Sequence, residues 1–264
     1  MTLLLNLKNG DSMKKNHFNL LIIISIVLFS NLLISKVNVS LVKLNYEYNS
    51  SEPGFAHFYF SLPYFYDFDK SFQSKIYNDL EITSKKNDTI TIDKLNKYIN
   101  FRFEEYQKSF TEIQSEPIEL SGFTLEQSFN INEILHFLSI SIFENSFYGG
   151  AHPNSNITHL VYNLNTKNRV TYNDLFTDVD EFQKIAEKKF RNLYKIQNGM
   201  PLSSSGFQFE NDKFSLSEFF YIENDGIVLF WNAYDIAPYA FGPISIKVKF
   251  KELDSILKET SLKD

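Results

Sequence analysis

The stretch Ile134-Leu-His-Phe-Leu-Ser-Ile-Ser-Ile-Phe143 places apolar residues on both faces of a β-strand, and Tyr148-Gly-Gly-Ala-His-Pro-Asn154 follows shortly after it. A strand that is apolar on both faces is central in a sheet and covered on both sides. Gly reaches backbone angles that other residues avoid, and Pro fixes its own φ. The two stretches therefore predict a buried strand that ends in a constrained loop.

Other segments place further strands around this one. Residues 41–66 are predicted to be extended, with an edge or entry strand between Pro53 and Pro63. A strand over 157–164 and a turn after it make 134–171 a set of antiparallel strands joined by local loops. Strands and helices come in clusters rather than in strict alternation. This order predicts an α+β fold with an antiparallel β-sheet and helices packed on it.

Apolar residues repeating every three or four positions predict the helices. They cover residues 69–82, 92–114 and 181–195, the last with Asp180 as its N-cap. A short helix over 251–262 is predicted to end the chain. The strongest of these patterns is 92–114, where the apolar stripe is opposed by a face of Lys and Glu.

A second constrained loop is Tyr234-Asp-Ile-Ala-Pro-Tyr-Ala-Phe-Gly-Pro243. A hairpin with an Asp225-Gly226 turn is predicted before it, and a half-buried strand over 244–250 after it. Residues 236–243 carry no charge but include two aromatic rings and two prolines. Such a loop is typical of a recognition surface, although it could instead pack on its own sheet.

The N-terminus predicts export. Lys14 and Lys15 precede an apolar run over residues 20–34, which is the pattern of a secretory signal peptide or an uncleaved N-terminal membrane anchor. We assign residues 1–40 to this segment and expect the rest of the chain at the periplasmic or extracellular face of the cytoplasmic membrane. The chain has no Cys, which excludes thiol catalysis and Cys-ligated metal.

The charge of the exported part is acidic. The chain has a formal charge of −6; residues 41–264 hold 22 basic and 31 acidic residues, a charge of −9. This balance argues against nucleic acid and anionic lipid surfaces as partners and suits a basic partner. Contact with a membrane is expected only through the N-terminal segment, if it is retained.

Several strings in the chain resemble one exported domain pair. They are Tyr148-Gly-Gly-Ala-His-Pro153, Tyr162-Asn-Leu-Asn-Thr-Lys167, Val170-Thr-Tyr-Asn-Asp-Leu-Phe176 and Gly226-Ile-Val-Leu-Phe-Trp-Asn-Ala-Tyr-Asp-Ile-Ala-Pro-Tyr-Ala-Phe-Gly242. The pair occurs in RsiV-type anti-sigma factors and beside the catalytic domain of PdaC-type peptidoglycan deacetylases. The similarity covers about residues 45–258.

The resemblance implies an α+β extracytoplasmic module with an N-terminal half over 41–155 and a C-terminal half over 156–264, together forming one compact unit. It implies lysozyme or peptidoglycan as the ligand. Fewer than twenty residues precede the apolar run, so we do not expect a segment that holds a sigma factor. A deacetylase catalytic domain is not expected either.

We therefore expect a non-catalytic, exported cell-envelope binding module with no cofactor, no metal and no catalytic residue. No pair of His has zinc-binding spacing. The candidate binding residues are Tyr148, Gly149, Gly150, His152, Trp231, Tyr234, Pro238, Tyr239 and Phe241.

The alternative function is a cell-wall hydrolase or deacetylase that uses His152 with Asp174 or Asp235. Each of these side chains also has a structural interpretation. His152 could bond to its own loop, Asp174 could cap a short turn, and Asp235 could fix the second loop.

Overall fold

The computed structural model describes residues 37–48, 55–84, 88–114, 122–149 and 151–258. The predicted signal peptide or anchor therefore lies, up to residue 36, outside the described residues. In the described ranges, no helix is both long and apolar enough to cross a membrane.

The fold is α+β, as the sequence predicts. The strands are β1 (Val39–Tyr48), β2 (Ala56–Phe65), β3 (Phe123–Ile134), β4 (Phe137–Phe147), β5 (Asn154–Asn163), β6 (Asn168–Arg169), β7 (Phe219–Glu223), β8 (Gly226–Trp231) and β9 (Ile244–Lys249). The helices are α1 (Lys70–Asp79), α2 (Ile92–Gln114), α3 (Tyr172–Leu175) and α4 (Val179–Leu193). One sheet has the order β1-β2-β3-β4-β5-β6 and a second has the order β7-β8-β9.

The chain divides into two compact units. Unit 1 is Met1–Phe129 with Phe143–Asn154, and unit 2 is Asn130–Ile142 with Ser155–Asp264. Strands β3 and β4 therefore contribute residues to both units.

Unit 1 packs α1 and α2 against β1 and β2. Asp69 caps α1 by accepting a hydrogen bond from the backbone N–H of Phe72 at 2.9 Å. The stripe of α2 is buried at Leu95, Ile99 and Tyr106, which confirms the predicted inward face. Both helices lie in the connection between β2 and β3, which run parallel. This pair departs from the predicted antiparallel order.

Unit 2 packs α4 and β7-β8-β9 around an apolar core. Phe182 and Phe190 of α4 are fully buried there, together with Phe207 and Leu229. Strand β9 has the predicted alternation, with Ile244, Ile246 and Val248 inside. The buried run at the start of β4, Phe137 to Ser141, confirms a strand covered on both faces.

Several local predictions are wrong. The predicted strand over 134–143 is broken by a turn at Leu135-His136, where Leu135 takes a φ of 57° without a Gly, Asn or Asp to indicate it. Strand β2 is not an edge strand, because it lies between β1 and β3. It tolerates Pro63 because pairing with β3 covers only residues 56–60.

Three further boundaries differ. The β7–β8 loop is Asn224-Asp225, since Glu223 pairs with Gly226, so the predicted Asp-Gly turn is shifted by one residue. Asp178 rather than Asp180 caps α4, accepting from the N–H of Glu181 at 2.8 Å. In place of the predicted C-terminal helix, residues up to 258 form a 3₁₀ turn, Phe250–Glu252, and further turns.

Candidate functional site

The loop between β8 and β9 presents three large aromatic side chains to solvent. Tyr234 is 60% exposed, Tyr239 38% and Phe241 47%. The rings of Tyr234 and Tyr239 lie 5.5 Å apart, tilted by 31°. Pro238 is also exposed and precedes the 3₁₀ turn Tyr239–Phe241. We call Tyr234, Pro238, Tyr239 and Phe241 the aromatic surface.

The aromatic surface is supported from below by the segment around Phe207. The Phe241 ring lies 5.6 Å from the buried Phe207 ring, and a hydrogen bond of 2.7 Å joins the Gln208 N–H to the Ile236 carbonyl. Ile236 and Ala237 are buried, so the loop is anchored at its centre. The anchored backbone holds exposed rings in place, which lowers the entropy that they would lose on binding.

Tyr234 has a strained backbone. Its φ is 73°, a left-handed conformation that costs a residue with a Cβ on the order of 1–2 kcal/mol. Strain of this kind concentrates at functional sites, where the surrounding structure maintains it. Gly242 closes the loop at φ 66°, a conformation that explains the residue type.

Trp231 belongs to the core instead of the surface. It is 4% exposed and lies about 6 Å from the rings of Phe190, Phe209 and Phe214. Its ring is out of reach of a surface ligand, so the prediction of Trp231 as a binding residue is wrong.

Asn232, which is not among the predicted binding residues, is the buried residue that fixes the start of the loop. Its side-chain Oδ1 accepts from the Ile157 N–H at 2.7 Å, and its Nδ2 donates to the Ile157 carbonyl at 3.1 Å. Its own N–H donates to Asp235 Oδ2 at 2.7 Å. Because Ile157 is remote in the sequence, no local pattern indicates this contact.

The first constrained loop lies in unit 1. Tyr148 is 49% exposed and its ring lies 4.7 Å from that of Phe123. Partial burial of the side chain, and after it the negative charge of Glu144, raise the pKa of Tyr148. Gly149 has a φ of 81°, and Gly150 lies outside the described residues.

His152 is exposed, and its Nδ1 lies 2.8 Å from the carbonyl oxygen of the adjacent Pro153. An N–H at Nδ1 would donate to that carbonyl. The contact matches the interpretation in which the imidazole bonds to its own loop.

The two carboxylates of the hydrolase alternative both accept backbone hydrogen bonds. Asp174 accepts from the backbone N–H of Thr171 at 2.8 Å and from its Oγ1 at 2.6 Å, which caps α3. Asp235 accepts from Asn232 as described above. Each carboxylate has a structural role in unit 2.

The buried imidazoles of the described residues are not grouped as metal ligands. In the part of the chain that the structure describes, no three His, Asp or Glu side chains are grouped as a metal site would require. His159 lies 2.9 Å from Ser141 Oγ through Nδ1, between the rings of Tyr221 and Phe230. Burial lowers the pKa of His159 to about 4, so the ring is neutral near pH 7.

The fold and the loop define an α+β protein with an exposed aromatic surface, and comparisons with known proteins add a family resemblance. Residues 173–251, which include the whole of that loop, match the family model described as "Protein of unknown function (DUF3298)". No curated protein matches the chain.

Two solved structures are similar in fold. A member of the DUF3298 family from Bacteroides fragilis NCTC 9343 superposes with a TM-score of 0.67 at 18% identity, covering 85% of this chain and 94% of that chain. A DUF3298 family protein from Pseudomonas aeruginosa PAO1 gives 0.58 at 15% identity, covering 85% and 96%. At these identities the likeness concerns the fold alone.

Proposed function

We propose that the chain is a non-catalytic, exported cell-envelope module, similar to the extracytoplasmic region of RsiV-type proteins, that binds a basic protein such as lysozyme. The observation that carries the proposal is the aromatic surface of unit 2. Three exposed rings and a proline stand on a loop whose backbone is held by buried contacts.

Aromatic side chains supply most of the binding free energy at many protein interfaces, because they bury a large area while few rotatable bonds are fixed. Tyr234 and Tyr239 also carry hydroxyl groups that can bond at the rim of an interface. A module that holds these rings exposed in a strained loop tolerates a cost in stability, which favours a role in recognition.

Charge favours a basic partner. The predicted exported part has a charge of −9, and Asp235 lies exposed beside Tyr234. Glu210 is exposed two residues beyond Gln208, in the segment that supports the loop. Acidic groups around an uncharged aromatic centre would accelerate association with a basic protein.

The contacts of His152, Asp174 and Asp235, the residues of the hydrolase alternative, favour binding over catalysis. His152 bonds to the neighbouring carbonyl, and Asp174 and Asp235 accept hydrogen bonds that fix their own turns. A general base must reach the proton that it removes, and these contacts compete with that role.

Titration of the full chain with hen-type lysozyme tests the proposal. The chain is kept in a non-ionic detergent, because of the apolar run over 20–34, and measured at two salt concentrations. We expect saturable binding that weakens as salt rises. If the chain binds peptidoglycan sacculi but not lysozyme, the ligand is a glycan and not a protein. If it binds neither at ~100 μM, the proposal is overturned.

A further inference from the structure

Strand β1 forms one edge of the six-stranded sheet. It pairs with β2 over ten consecutive residues, Val39–Phe65 to Tyr48–Ala56, without an interruption in register. Proline and bulges, which protect many natural edges, are absent from β1. Within the described strands, its other side has no neighbour in the sheet, so its outward N–H and C=O groups can pair with an added strand.

The two faces of β1 differ. Val42, Leu44 and Tyr46 are nearly fully buried, and the Tyr46 ring lies 5.0 Å from that of Phe103 on α2. The opposite face carries Lys43 and Asn45, which are half-buried, and Glu47, which is exposed. Selectivity for the side chains of an added strand must therefore come from contacts with Lys43, Asn45 and Glu47.

Lys43 and Glu47 lie two positions on either side of Asn45 and carry opposite charges. Neither forms an ion pair with another described residue. Directly across on β2, Lys43 faces Ser61, and Glu47 faces His57, whose ring contacts Glu126 at 2.8 Å and Asn45 at 3.0 Å. The charges of this edge are thus complementary to those of a second copy that is related to it by a twofold axis through Asn45.

We propose that β1 pairs antiparallel with β1 of a second copy of this chain, with Asn45 opposite the partner's Asn45. Lys43 then faces the partner's Glu47, and Glu47 faces the partner's Lys43. Residues 42–48 of each copy overlap, and the two six-stranded sheets become continuous. The contact is isologous and closed, as in most soluble homodimers.

The charges select this register. A shift that centres the axis on Lys43 places two lysines opposite each other, and centring on Glu47 does the same with two glutamates. Like charges directly opposite in an antiparallel pair are destabilising, whereas opposite charges stabilise. Centring the axis on Leu44 or Tyr46 leaves every side chain on its own face, but it pairs Lys43 or Glu47 with the partner's Asn45 instead of with an opposite charge.

Charge-reversal variants at Lys43 and Glu47 of the full-length chain test the proposal. Their association is measured by sedimentation in a density-matched non-ionic detergent. Lys43→Glu alone and Glu47→Lys alone each create two like-charge pairs and should weaken association by roughly tenfold or more. A mixture of the two variants should associate as a heterodimer, because each acid then faces a Lys. The chain with both reversals should dimerise like the wild type.

A cross-link tests the register independently, since the chain has no Cys of its own. Directly opposed residues have Cα atoms about 5 Å apart, within disulfide range, so Asn45→Cys should cross-link under mild oxidation. Glu47→Cys is the control, because its own copies would stand about 14 Å apart along the strands. The proposal is overturned if the wild type is monomeric up to ~100 μM. Equal cross-linking of both Cys variants would also overturn it.

Discussion

The side-chain amide of Asn232 pairs with the backbone N–H and C=O of Ile157 much as a neighbouring strand would. Oδ1 accepts at 2.7 Å and Nδ2 donates at 3.1 Å, so both polar groups of one buried side chain are satisfied by one residue of β5. The same residue begins the turn that leads to Tyr234. Within unit 2, the Asn232 side chain thus joins β5 to the loop that carries the aromatic surface.

Replacing Asn232 by Ala should destabilise the protein by about 2–3 kcal/mol, because the N–H and C=O of Ile157 both lose their partner. Urea unfolding followed by the fluorescence of the single, buried Trp231 measures the change. Asn192→Ala, at an exposed position of α4, is the control and should change stability by less than about 0.5 kcal/mol. Equal effects of the two variants would contradict the pairing.

Replacing Tyr234 by Gly should raise stability by up to about 1 kcal/mol, since Gly adopts the observed φ of 73° without strain. The same change removes a ring from the aromatic surface and should weaken ligand binding. Tyr239→Gly is the matched control: it also removes a ring but relieves no positive φ, so it should lower stability. If Tyr234→Gly lost stability as Tyr239→Gly does, strain at Tyr234 would be ruled out.

Gly226→Ala should cost roughly 1–3 kcal/mol, because an added Cβ would lie 2.5 Å from the carbonyl oxygen of Val248 on β9. Gly199→Ala separates this clash from backbone strain. At Gly199 no atom lies within 4 Å of the added Cβ, and only the φ of 81° opposes it. Thermal unfolding should place Gly226→Ala well below Gly199→Ala, and the opposite order would show that β9 does not approach so closely.

Stability should fall as pH drops from about 6.5 towards 4 because of His159. Its pKa is lowered by burial to about 4, so the folded state binds the proton less readily than the unfolded chain. The stabilising contribution is complete above pH 6.5 and decreases through this window, by about 1–2 kcal/mol once residual solvent screening is allowed for. His159→Gln should flatten the pH profile of unfolding in this range, and an unchanged profile would assign the pH dependence to other groups.

The sequence predicts those helices and strands in which apolar residues repeat at a regular spacing. The bounds of α2, 92–114, and the alternation of β9 follow from apolar residues at regular spacing. The turn at Leu135-His136 carries no turn residue, so no sequence pattern predicts it. The sequence predicts Gly226 as a turn residue, whereas in the structure the close approach of β9 is the reason for a residue without a side chain.

Only part of the candidate site could be predicted from the sequence. An uncharged aromatic run indicates the exposed loop, but burial of Trp231 depends on packing against α4 and on residues 209–214, which the sequence does not place. The role of Asn232 depends on a partner in β5, far away along the chain. Tertiary contacts of this kind leave no periodic signal.

The most direct test of the binding function compares the full chain with Tyr239→Ser/Phe241→Ser by calorimetric titration of hen-type lysozyme. Phe101→Ser is the control, since Phe101 is 54% exposed on α2 in the other unit. The aromatic surface predicts at least a tenfold loss of affinity in the double variant and none in the control. Lysozyme binding that is unchanged in the double variant would contradict a role for the aromatic surface.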